Sequence, residues 1–143
     1  MSQDWRVFAF GSALFAALTA ILAKIGVNDI NSDLATAYRT AVVLVLALLI
    51  VLIRHEWQSP ERWSTRSLVF LALSGLATGC SWLCYFRALK LGPASRVAPI
   101  DKLSVVFAIV LAGLFLHERI TWQHVVGGTL IVAGSLVIAW GAR

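Results

Sequence analysis

The sequence predicts an all-α membrane protein with five transmembrane helices, and three observations lead there. Hydrophobic residues make up 59% of the 143-residue chain and charged residues 13%, about half the charged share of a soluble domain. The apolar residues fall into five long, uninterrupted runs, and the segments between them are too short to form a soluble domain. Too few polar groups remain to cover a water-facing surface.

Crossing a hydrocarbon core of roughly 30 Å takes an apolar helix of about 20 residues. Inside lipid every backbone amide must be paired within its own segment, so runs of this length form helices rather than strands. The first run, 7–25, has Arg6 as its one basic flank, is longer than a signal-peptide core and precedes no soluble domain; it is expected to stay in the mature chain. The second, 34–53, follows the polar segment 28–33, whose Asn and Asp residues suit a helix start. The third, 68–89, is stopped by Gly92-Pro93. The fourth, 97–116, opens with Ala98-Pro99, and the fifth, 121–140, follows the charged turn 117–120. Trp5, Trp57, Trp63 and Trp122 gather at one membrane face and Trp140 marks the other, as amphipathic rings settle at headgroup level. Trp82 lies well inside its span.

The formal charge of +5 is spread singly among the apolar runs and forms no stripe, which argues against nucleic acid as a partner. Basic residues in short loops orient a membrane protein. Arg6, Arg54, Arg62, Arg66 and Arg119 fall on one face, against Lys24, Arg87, Lys90, Arg96 and Arg143 on the other. An even split leaves orientation weakly determined. With an odd number of helices, two oppositely inserted copies would form a ten-helix antiparallel homodimer with a two-fold axis in the membrane plane, an inverted-repeat plan of secondary transporters. The alternative is one orientation, set by Arg54, Arg62 and Arg66.

Charge inside the spans is the strongest functional signal. Asp101 and Lys102 precede an apolar stretch, 103–116, only about 21 Å long at 1.5 Å per residue, so both sit below the interface. Arg39 lies early in the second helix, which starts from the same face; Arg87 and Lys24 lie near helix ends at a similar level. A charge at mid-bilayer costs about 2.5–3.5 kcal/mol on insertion scales, so it faces a partner or a wet cavity. Two readings stand open. Arg39 with Asp101 is a structural ion pair while Lys24 and Arg87 snorkel; or Arg39 and Lys102 receive the carboxylate of an anionic or zwitterionic substrate and Asp101 carries a coupling proton. Ser74, Thr78, Ser81 and Tyr85 recur at steps of four, three and four and share one helix face. That stripe bonds a neighbouring helix or borders a polar cavity, with Trp82 and Tyr85 as an aromatic wall. Ser12, Ala16, Thr19 and Ala23, and Gly127, Gly128 and Gly134, are small residues suited to close helix packing.

Cys80 and Cys84 lie one turn apart within a span without a nearby His, a poor zinc or disulfide geometry; they read as small apolar fillers. His55, His117 and His124 lack metal spacing, and GxSxG, Walker and GxGxxG motifs do not occur. Neither cofactor nor enzymatic activity is expected.

The stretch YFRALKLGPASRVAPIDKLSVVFAIVLAGLFLHERITWQHVVGGTLIVAGSLVI resembles the EamA domain of the drug/metabolite transporter superfamily, through Ala88-Leu89, Ala98-Pro99, Glu118, Gly127, Gly128 and Gly134. The first half, ALFAALTAILAKIGV and ATAYRTAVV, is similar to the superfamily's five-helix bacterial and archaeal group. The resemblance implies one domain over 1–143, half of a ten-helix carrier with inverted halves around a central cavity. It also implies proton-linked or facilitated movement, mostly export, of amino acids and other metabolites across the cytoplasmic (inner) membrane. Small four-helix exporters of the superfamily depend on a Glu in the first helix; 7–25 holds no acidic residue, so export of quaternary cations is disfavoured. A passive channel or facilitator, recognised by unsaturable rates, and a membrane scaffold or accessory subunit, recognised by an unrelated partner, are the alternatives.

Overall fold

The computed structural model describes residues 4–59 and 63–141. Arg62 and Arg143, two of the charges used in the orientation count, lie outside the described residues. The described chain is all-helical: α1 (Trp5–Gly26), α2 (Ser32–Ile53), α3 (Thr65–Leu91), α4 (Ala94–Asp101), α5 (Leu103–Phe115) and α6 (Trp122–Trp140). Among the described residues five segments are long and apolar enough to span a membrane, α4 and α5 together making the fourth, Ala94–Phe115. The expected spans are thus present as helices, most reaching a few residues beyond the apolar runs because polar residues continue the helix into the interface.

The fourth span departs from expectation. Its helix starts at Ala94, after Pro93 at φ −72° and ψ 140°, so Pro99 lies inside α4 instead of at its opening. Proline lacks the N–H that would bond four residues back, and its ring crowds that carbonyl. The chain tightens just beyond it, where the Lys102 N–H donates to the Pro99 carbonyl at 3.1 Å. Lys102 then separates α4 from α5.

The chain divides into two compact units. One comprises Met1–Lys24 with Leu91–Arg143. Within it α6 packs on both α4 and α5, and Gly128 is buried where its bare backbone faces the Val106 methyls. Ser135, 5% exposed, donates its hydroxyl to the Pro99 carbonyl at 2.9 Å, bonding α6 to α4 at the break. Of the small residues expected to pack in α1, Ser12 and Ala16 are exposed and Thr19 and Ala23 half-buried, with Ala20 the buried position. In α6 Gly127 is half-buried and Gly134 exposed.

The other unit is Ile25–Lys90. Its buried residues are Val27, Ser32, Ala35, Thr36, Phe86 and Leu89, drawn from the turn before α2, the start of α2 and the end of α3. Asn31 caps α2 by accepting the Asp33 N–H at 2.8 Å, which satisfies one of the free amides of the first turn. Lys90 closes the same end from α3, its Nζ donating to the Ile30 carbonyl at 2.5 Å.

Both α2 and α5 are followed by a histidine in the left-handed region, His55 at φ 53° and His117 at φ 54°. After α2 the geometry is a Schellman motif: Glu56 N–H bonds the Val51 carbonyl at 3.1 Å and His55 N–H the Leu52 carbonyl at 3.2 Å. A Cβ at such a position costs about 1–2 kcal/mol, which glycine avoids. His55→Gly is therefore expected to stabilise the purified protein by about 1 kcal/mol, read as a rise in its thermal unfolding midpoint in detergent.

Candidate functional site

Arg39 stands in the second turn of α2, on a helix start held by the Asn31 cap and by two hydroxyls, Thr36 to the Ser32 carbonyl at 2.9 Å and Thr40 to the Thr36 carbonyl at 2.7 Å. Its guanidinium carbon lies 4.0 Å from the centroid of the Trp82 ring and 5.6 Å from that of Phe86. Trp82 and Phe86 are four residues apart on α3 and so share a face. Tyr85 meets Phe86 edge-on with centroids 6.4 Å apart and is within electrostatic range of Arg39. Within its unit, and among the described residues, Arg39 is thus seated on aromatic rings and not on a carboxylate. The negative π faces attract the cation while leaving guanidinium N–H edges to donate elsewhere. Phe86, 3% exposed, was missed in the sequence reading, although its spacing from Trp82 marks a shared face.

The hydroxyl stripe of α3 is laid out as its spacing predicts, with its polarity partly used by its own helix. Thr78 donates to the Ser74 carbonyl at 2.8 Å. Ser74, Thr78 and Ser81 are exposed and Tyr85 is half-buried. Exposed hydroxyls along a span are suited to a neighbouring helix or a wet passage.

Asp101 and Lys102 belong to the other unit and sit at the α4–α5 break. Their charged atoms are 3.7 Å apart, with side chains 38% and 55% exposed respectively. A helix interrupted within its span places charged side chains and backbone carbonyls together at membrane depth, as discontinuous helices do at carrier sites. Lys24 is half-buried and Arg87 exposed. Cys80 and Cys84 are free and exposed, so they fill no core space in this chain.

At the junction of α5 and α6, a cavity of about 270 Å³ carries Glu118, Arg119 and His124 beside apolar residues of α5. His124 is part of the α6 cap, its Nδ1 accepting the Thr121 N–H at 3.1 Å.

Comparison with known proteins places the chain among membrane transporters. The model of a family described as the EamA-like transporter family matches residues 4–140. An uncharacterized transporter in the cobO 3'region of Sinorhizobium sp is 53% identical over 139 residues, spanning 97% of this chain and 99% of that protein. Solute carrier family 35 member G1 of Homo sapiens is 32% identical over 130 residues, 90% of this chain and 34% of its own length. A probable 4-amino-4-deoxy-L-arabinose-phosphoundecaprenol flippase subunit, ArnF of Erwinia tasmaniensis, is 42% identical over 77 residues, 52% of this chain and 58% of its own. No solved structure gives a significant match.

Two substitutions test this geometry. Ser135→Ala removes the bond to Pro99 and is expected to cost about 0.6–1.7 kcal/mol. Trp82→Ala removes the face under Arg39 and is expected to cost about 1–2 kcal/mol, with Trp82→Phe restoring part of it. Both are read as shifts of the thermal unfolding midpoint in detergent.

Proposed function

The chain belongs to the EamA-like transporter family, and from that premise we propose that it is a secondary transporter exporting small polar metabolites, anionic or zwitterionic and amino-acid-like, across the cytoplasmic membrane. The observation that carries this reading is Arg39, a half-buried cation in a membrane span whose nearest described partners are aromatic faces. Such a residue is costly in lipid and is kept where it faces a partner or an aqueous path. Guanidinium edges match a carboxylate in a bidentate fashion. In the unit of Arg39, Ser74, Thr78, Ser81 and Tyr85 line the path beside Trp82; in the other unit, at the helix break, Lys102 is assigned as a second basic group and Asp101 as the proton-coupling group.

The working unit in this proposal is an antiparallel homodimer. The even distribution of basic residues over the two faces supports it, as do the small number of buried residues in each span and the exposed hydroxyl stripe. A second reading draws on the ArnF relative, which is named as a subunit of a flippase for a lipid-linked amino sugar: this chain would then work with a separately encoded partner on a lipid-linked cargo.

In proteoliposomes loaded with a radiolabelled amino-acid mixture, Arg39→Ala is expected to lower saturable efflux at least about tenfold, a loss of ~1.4 kcal/mol. Asp101→Asn is expected to remove the response to a proton gradient. Wild-type efflux and coupling in both variants would end the assignment of these residues.

A further inference from the structure

We propose that the groove at the α5–α6 junction binds a zwitterionic phospholipid whose headgroup carries a primary ammonium, a lipid of the phosphatidylethanolamine class. Its floor is formed by Val105, Ala108, Ile109 and Ala112, spaced at three, one and three residues and therefore one continuous stripe of α5. Its polar members, Glu118, Arg119 and His124, all come from the short segment that follows the end of α5 at Phe115 or from the first turn of α6. The groove is thus apolar along the span and charged at the membrane face. Trp122, 76% exposed at the first position of α6, marks headgroup level.

The turn is held over the groove by two close approaches. Glu118 N–H donates to the Ala112 carbonyl at 3.3 Å. Ile120 folds back on Gly113 so closely that a Cβ there would lie 2.7 Å from Ile120 Cδ1. These contacts fix Glu118 and Arg119 beside the apolar floor, where they would otherwise extend into water.

Electrostatics select the ligand. The groove lies between the carboxyl end of α5, which carries partial negative charge, and the amino end of α6, which carries partial positive charge. Glu118 and Arg119 add one full charge of each sign, and their sum is zero. A net-neutral headgroup with separated charges complements this arrangement: its phosphate on Arg119 and the α6 end, its ammonium on Glu118 and the α5 carbonyls. A primary ammonium donates hydrogen bonds to a carboxylate and a quaternary one has none to give, so choline headgroups lose that contact. Net-anionic headgroups meet Glu118 without compensation. At about 270 Å³ the groove is smaller than the roughly 300–1,000 Å³ that encloses a drug-sized ligand, so it holds the headgroup and the upper part of one chain while the rest stays in the bilayer.

Native mass spectrometry of the detergent-purified protein, given equal amounts of phosphatidylethanolamine, phosphatidylcholine and phosphatidylglycerol, tests this directly. Phosphatidylethanolamine is expected to be retained about tenfold over the other two, the ratio that one charge-assisted hydrogen bond provides. Glu118→Gln is expected to bring it down to the level of phosphatidylcholine, and Arg119→Gln to lower retention of all three. Equal retention of the three lipids by the wild-type protein, which needs no variant to fold, would overturn the proposal by showing annular lipid only. A preference for phosphatidylglycerol, or a phosphatidylethanolamine preference that survives Glu118→Gln, would overturn it as well.

Discussion

A hydrocarbon core offers no water to satisfy polar groups, and the rest of this structure follows from that constraint. Unpaired backbone groups there cost several kcal/mol each, so the spans are helices and their hydroxyls turn inward. Thr36, Thr40, Thr78 and Thr129 each donate to the carbonyl four residues back on their own helix. Where Pro99 disturbs the fourth span, the tightened turn and the Ser135 hydroxyl both reach its carbonyl. Arg39, which no hydroxyl neutralises, is laid on Trp82 and Phe86.

The same constraint decided what was legible in the sequence. Spans are read from run length because lipid leaves few alternatives to a helix, and the placement of the five segments needed little else. The stacking on Arg39 was half legible: Trp82 and Arg39 were both singled out as buried polar or aromatic exceptions, while Phe86 passed as one more apolar residue. The helix break was not legible, because Ala98-Pro99 resembles the start of a single helix over 97–116 and proline is welcome in a first turn. Only the backbone reveals that the helix had begun at Ala94, before the proline, so that the interruption falls at Lys102 beside Asp101. Left-handed histidines after α2 and α5 were equally hidden, since glycine or asparagine is the usual signal for that conformation.

What each span leaves uncovered gives the proposed assembly its physical motive. Between 0% and 11% of each spanning segment is buried, and much of the exposed remainder suits lipid. Ser74, Thr78, Ser81 and Lys102 do not: they are polar, exposed and within spans. A second copy that brought polar faces together would take those groups out of lipid, adding to the bonds that Thr78 and Lys102 already make within the chain. Opposite insertion of the two copies would place the Arg39 cluster of each chain in inverted register, which is how a carrier presents one site alternately to two sides. The near-symmetric distribution of basic residues removes the usual barrier to such insertion.

Antiparallel assembly is the claim on which this account turns, and the side of the membrane reached by the carboxyl terminus tests it most directly. Fusing after Arg143 a pair of reporters, one active only in the cytoplasm and one only outside it, reads both orientations in the same cells. The account predicts comparable signal from both reporters at native expression, with each population lost to the other as charges are added to one face. Signal from one reporter alone would contradict dual insertion and leave inverted pairing to a separately encoded partner.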